Sequence, residues 1–340
     1  MELNLFDYKL PEILIAQSPL KERDKARLLV LDRKTGGIVH DIFFNIINYV
    51  KSNDVIVINE SKVINARLFG RKENTGAKIE CFILKKKKDN NFIVLLRPLK
   101  KLKISDKVFI NEKDNIYFEV EDKLEDGRAL IHFNNFSDKM LDEYGEIPLP
   151  PYIKNRNFDN SYYQTVYAKR KGSTAAPTAG LHFTSELIKK LKEKGVFFAK
   201  VNLEIGLDTF KPVTEENIID HKIHSEKYNI SEHNVKIILK AINLGGRVIC
   251  AGTTTTRVLE TVMSKYGSLK SSRGRTSLYI YPGYKFKITD MIITNFHLPK
   301  STLIIMVSAF AGRENILKAY ETAINNNYRF FSFGDCMLIK

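Results

Sequence analysis

The strongest constraint on the fold is a change of pattern inside the chain. Between Arg67 and Phe133, short apolar runs follow one another at close spacing, with polar turns between them and no helix-length periodic stretch. Many short strands at such spacing are typical of a small sandwich or barrel. The sequence therefore predicts an all-β, barrel-like insertion domain over residues 67–133.

The segments on both sides of this insertion alternate between helix-like and strand-like runs. A helix beginning after Thr184 and ending at Gly195 precedes a strand, and residues 233–266 repeat the order helix, glycine turn, strand, helix. This order predicts an α/β domain with a mixed, mostly parallel sheet covered by helices. The domain is discontinuous and comprises residues 1–66 and 134–340. Local patterns also predict a helix over 42–50 and a strand over 277–281.

The charge of the chain is strongly positive. There are 54 Lys and Arg residues against 39 Asp and Glu, which gives a formal charge of +15. A surplus of this size is typical of proteins with a polyanionic partner such as nucleic acid. The alternative is a proteome that places Lys on every surface, and charge alone does not decide between the two.

Cysteine usage and hydropathy indicate the compartment. The three cysteines are far apart and form no C-x-x-C pair, which disfavours a disulfide framework or a cysteine zinc site. The N-terminal residues hold acidic side chains and no apolar core, and the longest apolar stretches are too short to span a bilayer. We expect a cytoplasmic protein that does not enter a membrane.

The segment Gly252–Arg257 (GTTTTR) follows an apolar strand and opens a helix. A small residue at such a junction lets a ligand approach the free N–H groups of the first helical turn. Thr253, Thr254 and Arg257 are therefore candidate ligand-binding residues, although threonines here could simply cap the helix. The segment lacks the Gly-Lys-Ser/Thr of a phosphate-binding loop, and the chain has no G-x-G-x-x-G fingerprint. An ordinary nicotinamide or flavin enzyme is thus disfavoured.

Histidines mark three further segments. His182 ends a run of small residues (AAPTAGLHF) that also contains Thr178, and it could move a proton or lie satisfied in the core. His224 and Glu226 belong to an H-x-x-H-x-E motif, which suits a polar site lining, plain structural polarity or, least well, a metal; no metal site is predicted. Asn295 and His297 end a strand at the edge where α/β sheets bind ligands.

Together these motifs resemble one family, the S-adenosylmethionine:tRNA ribosyltransferase-isomerases of queuosine biosynthesis. The similarity runs from FDYKLPEILIAQSP near the start to YRFFSFGDCMLI at the end, and it includes ARLFGR, GEIPLPPYI, YQTVYA, AAPTAGLHFT, HKIHSE, TNFHLPKSTL and SAFAGRE. The resemblance implies a multidomain α/β architecture with a β-barrel-like part.

The resemblance also implies the reaction. S-adenosylmethionine serves as ribosyl donor and co-substrate, and no regenerated cofactor is needed. The acceptor is the aminomethyl group of 7-aminomethyl-7-deazaguanine at the wobble position of tRNA, in the anticodon stem-loop. The products are epoxyqueuosine-tRNA, adenine and methionine. We expect the chain to act as a monomer.

Candidate roles follow from this chemistry. The sulfonium makes a C5′ proton acidic, so a general base is required, and adenine departure is helped by a proton or hydrogen bond. The candidates for these catalytic roles are His182, His224, Glu226 and His297. Those for holding the ribose or the methionine carboxylate are Thr253, Thr254, Arg257 and Asn295. Those for binding the substrate base are Tyr163, Gln164, Tyr167 and Thr178.

Two positions depart from the family pattern. Where the family reads roughly LHVGxGTF, this chain has Glu204 for His and Asp208 for the second Gly. These departures motivate an alternative, a tRNA-binding protein with impaired catalysis. A second alternative, less favoured, is a methyltransferase using the same co-substrate, because the Gly-Thr junction alone would allow it.

Overall fold

The computed structural model describes residues 1–206 and 213–340. The chain divides into two compact units, one of residues 1–62 and 150–340 and the other of residues 63–149. The domain boundaries predicted from the sequence, at 66/67 and 133/134, stay a prediction. A short helix after the last barrel strand, at residues 138–144, falls within the second unit.

The strands and α-helices of the described residues are numbered in chain order. The strands are β1 (Arg27–Leu31), β2 (Ile38–Ile42), β3 (Val55–Asn59), β4 (Ser61–Val63), β5 (Arg67–Lys72), β6 (Lys78–Lys86), β7 (Asn91–Arg97), β8 (Lys107–Asn111), β9 (Ile116–Lys123), β10 (Arg128–Phe133), β11 (Arg170–Ser173), β12 (Phe197–Leu203), β13 (Glu226–Ile230), β14 (Val248–Ala251), β15 (Ser272–Thr276), β16 (Met291–Asn295) and β17 (Cys336–Ile339). The helices are α1 (Asp138–Tyr144), α2 (Ser185–Glu193), α3 (Glu232–Asn243), α4 (Thr253–Tyr266), α5 (Thr302–Ala311) and α6 (Arg313–Asn325).

The first unit is built on a nine-stranded sheet of order β15-β13-β12-β3-β14-β16-β17-β1-β2. The four central strands β12, β3, β14 and β16 pair in parallel, so their carboxyl ends meet at one edge of the sheet. Strand β17 runs antiparallel to β16, with Cys336 opposite Asn295, which brings the residues before Cys336 to the same edge. The mixed sheet predicted from the sequence is confirmed.

Hydrophobic cores lie on both faces of this sheet. Val55 and Val57 of β3 belong to a core with α3 and α4, whereas Ile56 and Ile58 belong to a core with α2. Because side chains alternate along a strand, a strand buried on both faces is apolar on both, as the first four residues of β3 (VIVI) are. Its last residue, the buried Asn59, donates a hydrogen bond to the Leu203 carbonyl oxygen at 3.1 Å. Among the described residues, no helix is both long and apolar enough to cross a membrane.

The caps of α2 follow the sequence signals. The Thr184 hydroxyl accepts a hydrogen bond from the Leu187 N–H at 3.1 Å and so caps the helix. Gly195 follows its end with φ +88°, and a Cβ there would lie 2.5 Å from the Ser52 hydroxyl oxygen. Glycine is therefore required at this position on both conformational and steric grounds.

Two local predictions are wrong. Residues 42–50 form no α-helix; a 3₁₀ segment, Phe43–Asn48, takes their place and buries Phe43 and Ile46, three residues apart. Residues 277–281 form no strand, because the edge strand β15 ends at Thr276. The Thr276 hydroxyl accepts a hydrogen bond from the Leu278 N–H at 3.1 Å, and the chain turns away from β13 at this point.

The second unit is a closed antiparallel barrel of order β10-β7-β6-β5-β8-β9. Alternate residues of β7, namely Phe92, Val94 and Leu96, are buried, while the residues between them are partly exposed. Gly70 of β5 lies where a Cβ would be 2.7 Å from the Phe109 carbonyl oxygen, so the strands could not approach as closely with another residue there. The barrel-like part that the sequence predicted is confirmed.

Candidate active site

A pocket opens at the carboxyl ends of β14 and β16, in the first unit. Its empty volume is about 650 Å³, including the part open to solvent. Its walls are formed by residues 176–179, 252–254, 294–298 and 331–332 together with Tyr152, Ile205, Ser301 and Leu303. The edge of a sheet at the carboxyl ends of its parallel strands is where α/β folds bind ligands.

The turn from β14 into α4 forms one wall. Gly252 has φ +102°, a conformation that side chains other than glycine's rarely adopt. Its N–H donates to the Ile293 carbonyl oxygen at 2.8 Å and so ties the turn to β16. Helix α4 therefore begins at the pocket, with the free N–H groups of its first turn at this edge.

The four threonines that open α4, Thr253 to Thr256, divide into two pairs. The hydroxyls of Thr255 and Thr256 donate to the Gly252 carbonyl oxygen at 2.7 and 3.2 Å, so they serve the helix itself. Thr253 and Thr254 line the pocket instead. The Thr254 hydroxyl is buried and has no hydrogen-bond partner among the described residues. A buried, unpaired hydroxyl is costly and is commonly satisfied by a ligand or water.

Asn295 links the pocket to His182. Its Oδ1 lies 3.3 Å from His182 Nε2, and its Nδ2 donates to the Phe331 carbonyl oxygen at 2.9 Å. Because the second bond fixes the amide orientation, Nε2 of His182 is the donor in the first. Burial lowers the pKa of His182 to about 4, so the imidazole is neutral at neutral pH. His182 lies behind Asn295 rather than in the pocket wall.

His297 lies in the pocket wall itself. Its Nε2 is 2.7 Å from the Thr294 hydroxyl, and its backbone N–H donates to the Tyr320 hydroxyl at 2.9 Å. The Tyr8 hydroxyl donates to its carbonyl oxygen. Burial lowers the pKa of His297 to about 3. The side chain is thus a neutral, firmly positioned imidazole.

A second cluster lies beside the first turns of α4. The Arg257 guanidinium donates to Glu226 Oε2, and His224 Nε2 lies 3.1 Å from Glu226 Oε1. Burial raises the pKa of Glu226, but His224 and Arg257 outweigh it and hold the value at about 2. None of these three side chains lines the pocket.

The rest of the H-x-x-H-x-E motif is divided. His221 does not join this cluster; its Nδ1 lies 2.8 Å from Glu215 Oε2. Among residues 1–206 and 213–340, no group of three or more His, Cys, Asp or Glu side chains is placed to hold a metal ion.

The residues predicted to bind the substrate base are not brought together. Thr178 lines the pocket. Tyr163 is fully buried, and its ring centre lies 5.7 Å from that of Phe333. The backbone carbonyl oxygen of Gln164 accepts a hydrogen bond from the Arg23 guanidinium at 2.6 Å. The Tyr167 hydroxyl packs against Gly180, where any Cβ would overlap it. Tyr167 thus packs behind the 176–182 loop, whereas Tyr163 packs against Phe333.

The structure describes one of the two positions at which the sequence departs from the family pattern. Glu204 directly follows β12, and its carboxylate lies 3.1 Å from Lys227 Nζ. It does not line the pocket, whereas the next residue, Ile205, does. Asp208 lies outside the described residues.

Several pocket residues carried no sequence prediction. The Tyr152 hydroxyl lies 2.7 Å from the Ser332 hydroxyl, and its ring is 4.9 Å from that of Phe331. Phe331 has φ +69°, unusual for an aromatic residue and a recurrent sign of a functional site. The sequence signal for this wall is the aromatic, polar run YRFFSFGD at 328–335, but the run does not identify which of its side chains face the pocket.

The fold and pocket together define a class: an α/β protein with an inserted β-barrel and a candidate ligand pocket formed at a helix N-terminus beside the neutral imidazole of His297. The chain belongs to the queuosine biosynthesis protein family, whose model matches residues 3–339. The family resemblance read from the motifs is confirmed.

Named relatives agree over the full length. The chain is 49% identical to the S-adenosylmethionine:tRNA ribosyltransferase-isomerase of Staphylococcus haemolyticus and equally so to that of Staphylococcus aureus strain JH9, with all of each chain covered. It is also similar to the crystal structure of S-adenosylmethionine tRNA ribosyltransferase from Thermotoga maritima. That match has a TM-score of 0.58 and 38% identity, and it covers 99% of this chain and 100% of the other.

Proposed function

We propose that this protein transfers and isomerises the ribosyl group of S-adenosylmethionine onto the aminomethyl group of 7-aminomethyl-7-deazaguanine at the tRNA wobble position. The products are epoxyqueuosine-tRNA, adenine and methionine. The observation that carries the proposal is that the AAPTAGLHFT, GTTTTR and TNFHLPKSTL segments all meet in one pocket. These segments are far apart in the chain, and the family relationship covers all of them.

His297 is the proposed proton acceptor. Among the four catalytic candidates it is the one that lines the pocket, and its lowered pKa keeps the imidazole unprotonated. A neutral nitrogen can take the acidic C5′ proton next to the sulfonium. Loss of this proton drives adenine departure. The amine then attacks the opened ribose, and an epoxide closes as methionine leaves.

The wall formed by α4 is proposed to hold the polar parts of S-adenosylmethionine. Thr253 and Thr254, with the first N–H groups of the helix, offer donors to a carboxylate or to ribose hydroxyls. The unpaired Thr254 hydroxyl gives this assignment its physical support. Asn295 and Thr178 complete the polar lining.

Arg257, Glu226 and His224 are proposed to position this wall rather than to transfer protons. Glu226 does not line the pocket, and its two carboxylate oxygens are held by Arg257 and His224, so it is not placed to take a proton from a ligand there. Its charge compensates the buried Arg257, which also donates to the Leu278 carbonyl oxygen at 3.2 Å. This cluster fixes the start of α4 against β13.

The charge distribution supports tRNA as the partner. The unit that contains the pocket has 37 Lys and Arg residues against 24 Asp and Glu, whereas the barrel unit has 17 against 15. Most of the surplus is thus on the unit that contains the pocket. We further propose that the protein acts in the cytoplasm as a monomer on the anticodon stem-loop, without a regenerated cofactor.

Product analysis tests the proposal. The protein is incubated with S-adenosylmethionine and an anticodon stem-loop carrying 7-aminomethyl-7-deazaguanine, and the RNA and small molecules are followed by mass spectrometry. An RNA mass gain of one epoxycyclopentanediol unit with equimolar adenine and methionine supports it. S-adenosylhomocysteine would indicate methyl transfer. RNA binding without turnover would indicate impaired catalysis and overturn the proposal.

A further inference from the structure

The outer face of the sheet edge is basic. Lys227 of β13 lies opposite Arg275 of β15, and Asn229 lies opposite Arg273. Opposite residues of paired strands share a face, and successive residues alternate between faces. Tyr228 of β13 packs in the core with α3 and α4. Lys227, Arg273 and Arg275 therefore project from the face that these helices do not cover.

This face continues across the neighbouring strand. Asn202 of β12 lies opposite Asn229, so Lys200, two residues earlier, is on the same face. Its Nζ lies 3.9 Å from a Glu60 carboxylate oxygen, and Arg170 Nε lies 2.9 Å from the other. We name as the edge-strand basic face the group Arg170, Lys200, Lys227, Arg273 and Arg275.

The two arginines of β15 lack counter-charges. Both are exposed, and neither forms an ion pair with a described acidic residue. Residues 265–289 contain six Lys and Arg and no Asp or Glu. Elsewhere on the same unit, some exposed lysines do have acidic partners one helical turn away, as Lys189 has Glu193 and Lys236 has Glu232. Positive potential is thus concentrated at this edge of the sheet.

The basic face begins beside the pocket. The Glu204 carboxylate contacts Lys227 on this face, and Ile205, the next residue, lines the pocket. Strand β15 ends at Thr276, opposite Glu226, whose carboxylate contacts the Arg257 guanidinium near the start of α4. A polyanion lying along β15 would therefore lead towards the pocket.

We propose that the edge-strand basic face binds the sugar–phosphate backbone of the RNA substrate and guides the modified nucleotide to the pocket. The proposal rests on the proposed function. Its physical basis is the replacement of counterions by fixed arginines, which position a strand without reading its bases. The competing explanation is that the arginines only prevent pairing of the exposed edge strand with other chains.

The test compares two double variants with the same change in net charge. Arg273→Gln/Arg275→Gln alters the face, and Lys189→Gln/Lys236→Gln alters exposed lysines on α2 and α3. The dissociation constant of the substrate tRNA is measured at several KCl concentrations. For loss of two phosphate contacts, we expect affinity to fall on the order of tenfold at 0.15 M salt and the slope of log K against log salt to decrease by about 1.5–2. The lysine control should stay within about twofold of the wild type.

Further readouts separate this surface from the chemistry. With saturating tRNA, kcat of the arginine variant should match the wild type while KM for tRNA rises, and Arg273→Lys/Arg275→Lys should restore most of the salt slope. Equal tRNA affinity in the arginine and lysine variants overturns the proposal and favours edge protection. If the wild type itself neither binds nor modifies tRNA, the proposed function fails as well, so the two failures are distinguishable.

Discussion

Asn295 holds His182 through its Oδ1, 3.3 Å from His182 Nε2, while its Nδ2 donates to the Phe331 carbonyl oxygen. One amide at the end of β16 thus joins two segments, 178–182 and 328–335, that are far apart in the chain. The amide needs both a donor and an acceptor to do so, which a carboxylate cannot supply.

Asn295→Asp tests this relationship. The carboxylate loses the donor to Phe331 and places a negative charge beside His182, so we expect the pKa of His182 to rise well above its present value of about 4. Turnover should fall at least about tenfold. Titration of the His182 ring by NMR measures the first effect. The same substitution at the exposed Asn326 is the control, and an unchanged His182 titration would contradict the account.

Valine substitutions at Thr254 and Thr255 form a matched pair of tests. Thr254→Val removes an unpaired hydroxyl, so stability should be unchanged or slightly higher, while affinity for S-adenosylmethionine falls about five- to tenfold. Thr255→Val removes a bond to the Gly252 carbonyl oxygen and should cost about 1 kcal/mol of unfolding free energy with little change in affinity. Calorimetry and urea unfolding measure the two quantities. If Thr254→Val lowered the unfolding free energy and Thr255→Val lowered the affinity, S-adenosylmethionine would not bind at the Thr254 hydroxyl.

Glu226→Gln tests the buried cluster. The substitution leaves the Arg257 guanidinium without its charge partner in the protein interior, which should cost about 3 kcal/mol of unfolding free energy. Glu186→Gln, which breaks an exposed pair with Lys190, should cost about 0.5 kcal/mol or less. Both values come from urea unfolding at neutral pH. Equal small costs would show that Glu226 does not compensate Arg257.

The pH dependence of kcat/KM tests the state of His297. A base acts while it is unprotonated, and the pKa of His297 is lowered by burial from 6.5 to about 3. Activity should therefore show no acid limb near pH 6.5 and should lose this base only towards pH 3. The measurement is kcat/KM as a function of pH between pH 5 and 8, on protein that stays folded over this range. A limb with an apparent pKa near 6.5 would exclude a buried neutral His297 as the base.

Glu204→His restores the usual family residue at the one departure that can be located. Because Glu204 contacts Lys227 and does not line the pocket, we expect turnover to change less than about threefold. A gain of several orders of magnitude would show instead that the native chain has impaired catalysis and that position 204 supplies the missing base.

The sequence predicted the sheet, the barrel-like part and the β14–α4 junction because each has a local signal: continuous apolar strands, short strands between polar turns, and a glycine before a helix. The SLYIY run failed for the same reason. Its apolar alternation resembles a strand, but the Thr276 hydroxyl turns the chain and its tyrosines pack into a core with α5 and α6.

Local sequence patterns predicted only some of the residues that line the pocket. His297, Asn295, Thr253, Thr254 and Thr178 were named and all line one pocket. Phe331 and Ser332 were not assigned to it, because the antiparallel pairing of β17 with β16 and the positive φ of Phe331 are not displayed by a single sequence. Tyr152 was not named either; a hydrogen bond between its hydroxyl and that of Ser332 joins it to this wall. Conversely, Tyr163 occurs in a distinctive motif but lies wholly in the core.

The most direct test of the proposed catalytic role is a single-turnover measurement on the wild type and His297→Gln, with S-adenosylmethionine and the modified anticodon stem-loop. Glutamine retains a hydrogen-bonding group towards Thr294 but has no basic nitrogen. We expect the wild type to release equimolar adenine and methionine, and the variant to bind both substrates while releasing adenine at least about 100-fold more slowly. Adenine release by the variant at the wild-type rate would contradict the assignment of His297 as the base.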